Sequence, residues 1–147
     1  MFILLDDVER AEEYLLLAER EPIEPGAFMT ANFRWQWGLI ALGRARYDEA
    51  CRLLRETVDL LLPQSDYSVA MAYVNLAEAC VLAGDVDAAL DAGQHAVSFF
   101  AKVSLSAPLN HAIGVLREAF ASKETDRIRT SLNEVRESAG AEPRKYY

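Results

Sequence analysis

The chain is short of the features that mark secreted, membrane-spanning and disulfide-rich proteins. Its two cysteines, Cys51 and Cys80, lie far apart in helical patterns, so we expect reduced thiols in a cytoplasmic protein, with a redox pair as the less favoured alternative. No apolar run approaches the roughly 18–20 residues that span a bilayer. The start of the chain, from Met1 to Asp7, turns acidic without a basic segment, so we expect no secretory signal.

Basic residues are also in the minority. The chain has 15 Lys and Arg against 23 Asp and Glu, a net charge of −8, which argues against nucleic acid as a direct partner. Residues 1–24 carry −6, residues 25–101 carry −4 and residues 102–147 carry +2. A solvated acidic first helix explains this asymmetry better than an acidic docking surface.

Groupings typical of catalytic and metal sites are absent from the sequence. His95 and His111 have no ligand-type residue at metal-binding spacing, and no serine or cysteine has a visible base and orienting acid. The stretch Gly38–Arg44 has the glycine spacing of a phosphate loop but lacks its Lys and Ser/Thr. We therefore predict a protein that is not an enzyme and that holds no cofactor and no metal.

What the chain does have is a repeat with a period of 39 residues, visible in five columns of aligned residues. The columns are Val8, Tyr47, Val86 and Thr125; Ala11, Ala50, Ala89 and Ile128; Ala18, Thr57, Ala96 and Val135; Trp37, Leu76 and Val115; and Gly38, Ala77 and Leu116. Periods of about 20–50 residues are typical of solenoids, which bind partners on extended surfaces. The small members of these columns predict close helix crossings within each repeat.

Hydrophobic periodicity and helix breakers predict seven helices and no strand. Gly84 and Asp85 are the sharpest boundary, because a glycine can end one helix and an aspartate can cap the next. Ser65 is a further predicted cap, and Pro108 falls in a first helical turn. The predicted helices are about residues 3–20, 28–44, 48–62, 66–83, 86–103, 107–122 and 125–138.

The repeated motifs resemble those of the tetratricopeptide repeat (TPR) family. The best copy contains AYVNLA at 72–77, AGDVDAAL at 83–90 and Ala96-Val97. A weaker copy has Trp37-Gly38 and GRARYDEA at 43–50, where Ala45-Arg46 replaces Gly-Asp. The resemblance implies an all-α, right-handed superhelix of antiparallel helix hairpins. The long period is similar to that of the C-terminal TPR regions of bacterial transcriptional regulators.

On this resemblance we expect one solenoid domain over residues 1–138 and a flexible tail over 139–147. Its parts are a partial repeat at 1–21, repeats at 28–62 and 66–103, and a degenerate terminal repeat at 107–138. The expected function is a scaffold or sensor that binds a protein or peptide within a bacterial regulatory protein. Two alternatives stay open: self-association through the incomplete first repeat, with its apolar edge Phe2–Leu5, and a regulatory fragment of a larger enzyme.

In the TPR family the first helix of each hairpin lines a concave groove, and this implies a set of partner-binding residues. The set is Asn32, Trp35, Gln36, Leu39, Met71, Val74, Asn75, Glu78, Asn110 and Arg117. Trp35 is the strongest candidate because aromatic anchors often dominate binding energy. The alternative is that Trp35 packs against a neighbouring repeat. Arg117 is the one cation of this set, which disfavours a clamp for a terminal carboxylate.

Overall fold

A computed structural model of the chain describes residues 8–20, 27–62, 66–103 and 105–140, and in those ranges it is all helix and connecting turn, with no strand. The all-α prediction is therefore confirmed. The seven helices are α1, Val8–Glu19; α2, Ala27–Gly43; α3, Tyr47–Leu61; α4, Asp66–Leu82; α5, Val86–Phe100; α6, Ala107–Ser122; and α7, Thr125–Gly140.

The helices pair into hairpins, with α2 on α3, α4 on α5 and α6 on α7, and α3 joins the first two pairs by packing on α4. Small residues allow the close crossings. A Cβ added to Gly38 would lie 2.8 Å from Cγ of Leu54, and Ala50, Ala77 and Ala89 are fully buried. The single helix α1 packs on α2 through a small separate cluster.

The turn inside each hairpin contains one residue in the left-handed region, and these three residues are spaced by the 39-residue period. They are Ala45 with φ of 59°, Gly84 with φ of 86° and Lys123 with φ of 58°. The turn at Gly84 carries the predicted cap, since the Asp85 carboxylate accepts a hydrogen bond of 3.0 Å from the backbone N–H of Ala88. The repeat is thus present in the backbone even where the glycine of the pattern has been replaced.

Two of the described helix ends differ from the sequence-based expectation by more than one residue. The fifth helix ends at Phe100 rather than Val103, because the N–H of Lys102 bonds to the carbonyl of Phe99 in a tighter turn. The seventh helix continues past Ser138 to Gly140, and Ala139, which we assigned to a flexible tail, is buried within it.

Some predictions fall on residues outside the described ranges. These are the start of the first helix with the edge Phe2–Leu5, the proline break at 22–25, the Ser65 cap and residues 141–147 of the tail.

The last helix does not simply extend the row of hairpins, because α7 runs back along α4. The hydroxyl of Tyr67 at the start of α4 donates a hydrogen bond of 3.2 Å to the carbonyl of Ala139 at the end of α7. Near the other end of α4, Nη1 of Arg136 lies 3.0 Å from Oε2 of Glu78. Both helices contribute side chains to one continuous core. The chain's own last helix therefore covers the face of α4 on which we expected a partner.

Candidate functional site

The covered face of α4 is a stripe of four residues, Tyr67, Met71, Val74 and Glu78, which we call the α4 stripe. Their spacing of four, three and four residues puts them on one side of the helix. The two end residues bond to α7, and the two middle residues have no exposed surface. The stripe is thus enclosed by the chain itself.

This enclosure corrects the expectation for half of the predicted groove. Met71, Val74 and Asn75 are fully buried, so they offer no surface to a partner. Gln36 and Leu39 on α2 are buried as well, at 6% and 4% exposure. The family pattern predicted that Gln36 and Leu39 lie on the inner face of α2. They are buried in the structure, so this part of the inner face belongs to the core and not to an open groove.

Trp35 joins the first full repeat to the second. Its indole Nε1 donates a hydrogen bond of 2.9 Å to Oδ1 of Asn75, and its ring packs partly against the core. Trp35 is half-buried, so it retains some exposed surface next to the neighbouring repeat. The Nδ2 group of Asn75 is buried without a hydrogen-bond partner in the protein. Trp35 thus packs against a neighbouring repeat, which is the alternative stated above, and this packing accounts for its hydrogen bond and for much of its burial.

Beside the α4 stripe lies a solvent-accessible cleft of about 590 Å³, which we call the α7 cleft. The ends of α2 and α4, the start of α3 and one side of α7 form its walls. Its lining residues are Leu42, Gly43, Tyr47, Glu78, Leu82, Asp126, Arg129, Thr130, Asn133 and Arg136. The cleft therefore combines apolar walls with hydrogen-bond donors and acceptors and with charges of both signs.

Glu78 is the most perturbed group of this cleft. Burial raises the pKa of its carboxyl group from 4.5 to about 7, and the nearby Arg136 guanidinium opposes that rise only in part. Its side chain is 12% exposed, and its Oε1 atom is buried with no hydrogen-bond partner in the protein. Arg136 also donates to Oδ1 of Asn133 on the same helix. One oxygen of the Glu78 carboxyl group is therefore paired and the other is not. The raised pKa allows this group to take up a proton near neutral pH.

The remaining predicted residues lie apart from the cleft. Asn32 is half-buried on α2. Asn110 and Arg117 are exposed on α6, where Nδ2 of Asn110 donates to the carbonyl of Leu105 over 3.3 Å. None of the three lines the cleft. The structure thus sets Glu78 against α7 and joins Trp35 to Asn75, but it leaves the α6 pair outside the cleft.

Sequence reasoning missed the polar residues that α7 contributes to the cleft, among them Arg129, Asn133 and Arg136. All three belong to α7, the second helix of its hairpin, and the family pattern assigns groove residues to first helices. Their spacing of four and three residues puts them on one side of α7. The spacing does not show which other helix that side faces. No local signal would have found them.

Both cysteines and His95 have packing roles in the described part of the chain. Sγ of Cys51 lies 3.8 Å from Sγ of Cys80, and both thiols are free. Burial raises the pKa of Cys51 and raises that of Cys80 to about 12, so the thiol forms dominate. His95 stacks on Tyr73 and its Nδ1 atom lies 2.8 Å from the carbonyl of Asp91. Among the described residues, no group of three or more His, Cys, Asp or Glu side chains could hold a metal ion.

Comparison with known proteins identifies the repeat. The family model described as "Tetratricopeptide repeat" matches residues 29–102, which is half of the chain and covers most of α2 and all of α3 to α5. No curated protein matches the chain, and neither does any solved structure. Within the described residues, every helix is too short or too polar to cross a membrane.

Proposed function

The chain belongs to the tetratricopeptide repeat family, whose repeats generally mediate protein–protein interaction, and on that premise we propose that it is a non-catalytic binding module of a bacterial regulatory protein. Its partner is a protein or a peptide segment, and its place is the cytoplasm. The low share of basic residues, which disfavours nucleic acid, supports a protein partner.

The α7 cleft is the observation that carries this proposal. Leu42 and Leu82 offer apolar contact, while Arg129, Thr130 and Asn133 offer hydrogen bonds from one side of α7. The lining is more polar than that of a typical small-molecule site, which is mostly apolar with a few polar groups that fix orientation. A peptide segment, which has backbone donors and acceptors as well as side chains, suits such a mixed lining.

Within this proposal the contact residues are those that retain exposed surface. On α2 they are Asn32 and Trp35, and in the cleft Arg129 joins them. Asn110 and Arg117 provide a second exposed patch on α6. Arg129 is the residue with the clearest expected contribution, because a charged hydrogen bond is worth about 1.5–3 kcal/mol.

The test is a selection of peptides from a random display library against the full chain. We expect the selected peptides to lose at least about tenfold in affinity with Arg129→Ala, since 1.4 kcal/mol is tenfold. Arg127→Ala is the matched control, because Arg127 lies on the same helix, pairs with Glu118 and does not line the cleft. Equal losses with both variants, or no selected peptide at all, would contradict the proposal.

Self-association is a second candidate, favoured by an apolar face on α1. Tyr14 and Leu17, three residues apart, are 71% and 61% exposed. Large exposed apolar patches often mark interaction sites. Sedimentation of the wild type should show a dimer that Tyr14→Ser with Leu17→Ser dissociates, and a single-chain mass for the wild type at high concentration rejects this candidate.

A further inference from the structure

The two cysteines of the chain meet where the first full repeat packs on the second. Cys51 lies on α3 and Cys80 lies on α4, and these two helices pack on each other. Sγ of Cys51 is 3.8 Å from Sγ of Cys80, and both thiols are free. A disulfide bond is about 2.05 Å long, so the sulfur atoms need to approach by less than about 2 Å. The chain has no third cysteine that could compete for either partner.

The two thiols differ in their access to solvent. Cys51 is half-buried, whereas Cys80 is 1% exposed. A small oxidant from solution therefore reaches Cys51 first, and the thiol that lies next to Cys51 is that of Cys80. An accessible cysteine beside a second cysteine that can resolve its oxidised form is the arrangement of reversible redox-sensing thiols.

The surroundings of the pair favour the protonated thiols. Burial raises the pKa of Cys51, and it raises the pKa of Cys80 to about 12. Arg55, one turn after Cys51 on α3, opposes both rises, and its Nη2 atom lies 3.9 Å from Sγ of Cys80. Because the thiolate is the reactive form, the pair reacts slowly, while the guanidinium stabilises each thiolate once it forms. Such a pair stays reduced in a reducing compartment and changes only under sustained oxidation.

We propose that Cys51 and Cys80 are a modification site, at which hydrogen peroxide converts the two thiols into a disulfide bond that joins α3 to α4. The bond closes a loop between positions 29 residues apart and fastens the first full repeat to the second. Neither cysteine lines the α7 cleft, so the site is separate from the surface on which a partner is proposed to bind.

The reaction has two steps and releases two water molecules. In the first step the thiolate of Cys51 attacks one oxygen of the peroxide and the O–O bond breaks. Cys51 becomes a sulfenic acid, and the departing hydroxide takes up the proton that the thiol lost. In the second step the sulfur of Cys80 attacks the sulfur of Cys51, the S–O bond breaks, and the departing hydroxide takes up the proton of Cys80. The two sulfur atoms together give up two electrons, which reduce the peroxide.

The experiment treats the folded full-length chain with hydrogen peroxide in the presence of dimedone, which traps sulfenic acids, and follows it by mass spectrometry. In the wild type we expect a Cys51–Cys80 link in the peptide map and a loss of about 2 Da, the mass of two hydrogens. In Cys80→Ala the disulfide cannot form, so Cys51 should carry at least about tenfold more dimedone than in the wild type. Cys51→Ala is the matched control, because the buried Cys80 should then stay unlabelled.

Four outcomes would overturn the inference. They are an unchanged wild-type chain, a dimedone adduct at Cys51 of the wild type as abundant as in Cys80→Ala, a disulfide between Cys51 residues of two chains, and labelling of Cys80 in Cys51→Ala equal to that of Cys51 in Cys80→Ala. A doubled mass without reductant identifies the third. None of these outcomes depends on peptide binding, so this site and the proposed function can fail separately.

A second measurement compares the stability of the oxidised and the reduced chain. A disulfide restricts the unfolded chain, and the two sulfur atoms are already neighbours in the folded chain. We expect oxidation to lower the equilibrium constant of unfolding in urea by at least about tenfold, and a dithiol reductant to restore it. Cys80→Ala treated with the same peroxide controls for methionine oxidation, and its equilibrium constant should stay the same. An oxidised wild type that is no more stable than the reduced one would mean that the fold does not position the pair for a disulfide, and the inference fails.

Discussion

The buried carboxyl of Glu78 predicts that the chain becomes more stable on mild acidification, relative to a variant without that carboxyl. The perturbation is Glu78→Gln, which keeps the size of the side chain and an acceptor for Arg136 but removes the titration. Burial raises the pKa of Glu78 from 4.5 to about 7. In the folded chain the carboxyl thus binds its proton at a higher pH than in the unfolded chain.

The sign and size follow from proton linkage. Between pH 4.5 and 7 the folded state binds more protons than the unfolded state, so the free energy of unfolding falls as the pH rises through that window. One pKa unit corresponds to about 1.36 kcal/mol, so the effect at pH 5 is about 2–3 kcal/mol relative to pH 8. Arg136 is the cation that opposes the rise, and Asp126 and Arg129 also line the cleft beside Glu78.

Urea unfolding of both proteins at pH 8, 7, 6 and 5 measures this effect. We expect the stability of the wild type minus that of Glu78→Gln to increase steadily from pH 8 to pH 5, most steeply below pH 7. Glu118→Gln, which removes an exposed carboxylate, controls for the loss of one negative charge. If the free energy of unfolding differs between wild type and Glu78→Gln by the same amount at every pH, the argument that Glu78 is enclosed is refuted.

The turns and crossings of the repeat give two further predictions. Ala45→Gly and Lys123→Gly should each raise the free energy of unfolding by about 1 kcal/mol, because both residues hold a left-handed backbone that glycine adopts without strain. Gly84→Ala at the equivalent turn should lower it by a similar amount, and the same sign in all three variants would contradict this reasoning. Gly38→Ala should cost about 1–3 kcal/mol, because the new methyl group would press on Leu54. Urea titration at one pH checks these values, and a neutral Gly38→Ala would show that the crossing can widen freely.

The fold could be predicted from the sequence because its signals are local and repeated. The boundary at Gly84 and Asp85 depends on residues within one turn, and it appears in the structure as a left-handed glycine followed by a capping carboxylate. The 39-residue period then predicts the same turn in the other two hairpins, where the local sequence signal is weak. Ala45 and Lys123 adopt the same left-handed backbone although neither is glycine.

The site was harder to predict because it depends on contacts between residues that are distant in sequence. The family pattern shows which residues share the inner side of a helix, but it does not show which other helix packs against that side. Arg136 and Glu78 are 58 residues apart, and Tyr67 and Ala139 are 72 apart. Hydrophobic spacing on α7 predicts a buried side without showing that α4 is the surface opposite.

One column of the repeat does explain why the last hairpin packs differently. Gly38 and Ala77 allow close crossings in the first two full hairpins, whereas the third member of the column is Leu116, which is fully buried. A leucine is bulkier than glycine or alanine, so at a crossing position it favours a wider spacing of the two helices. The loss of small residues that makes this repeat a poor copy of the family thus accompanies its distinct arrangement, with α7 against α4. The departure from the repeat pattern at this crossing position therefore marks the hairpin whose second helix covers the expected binding face.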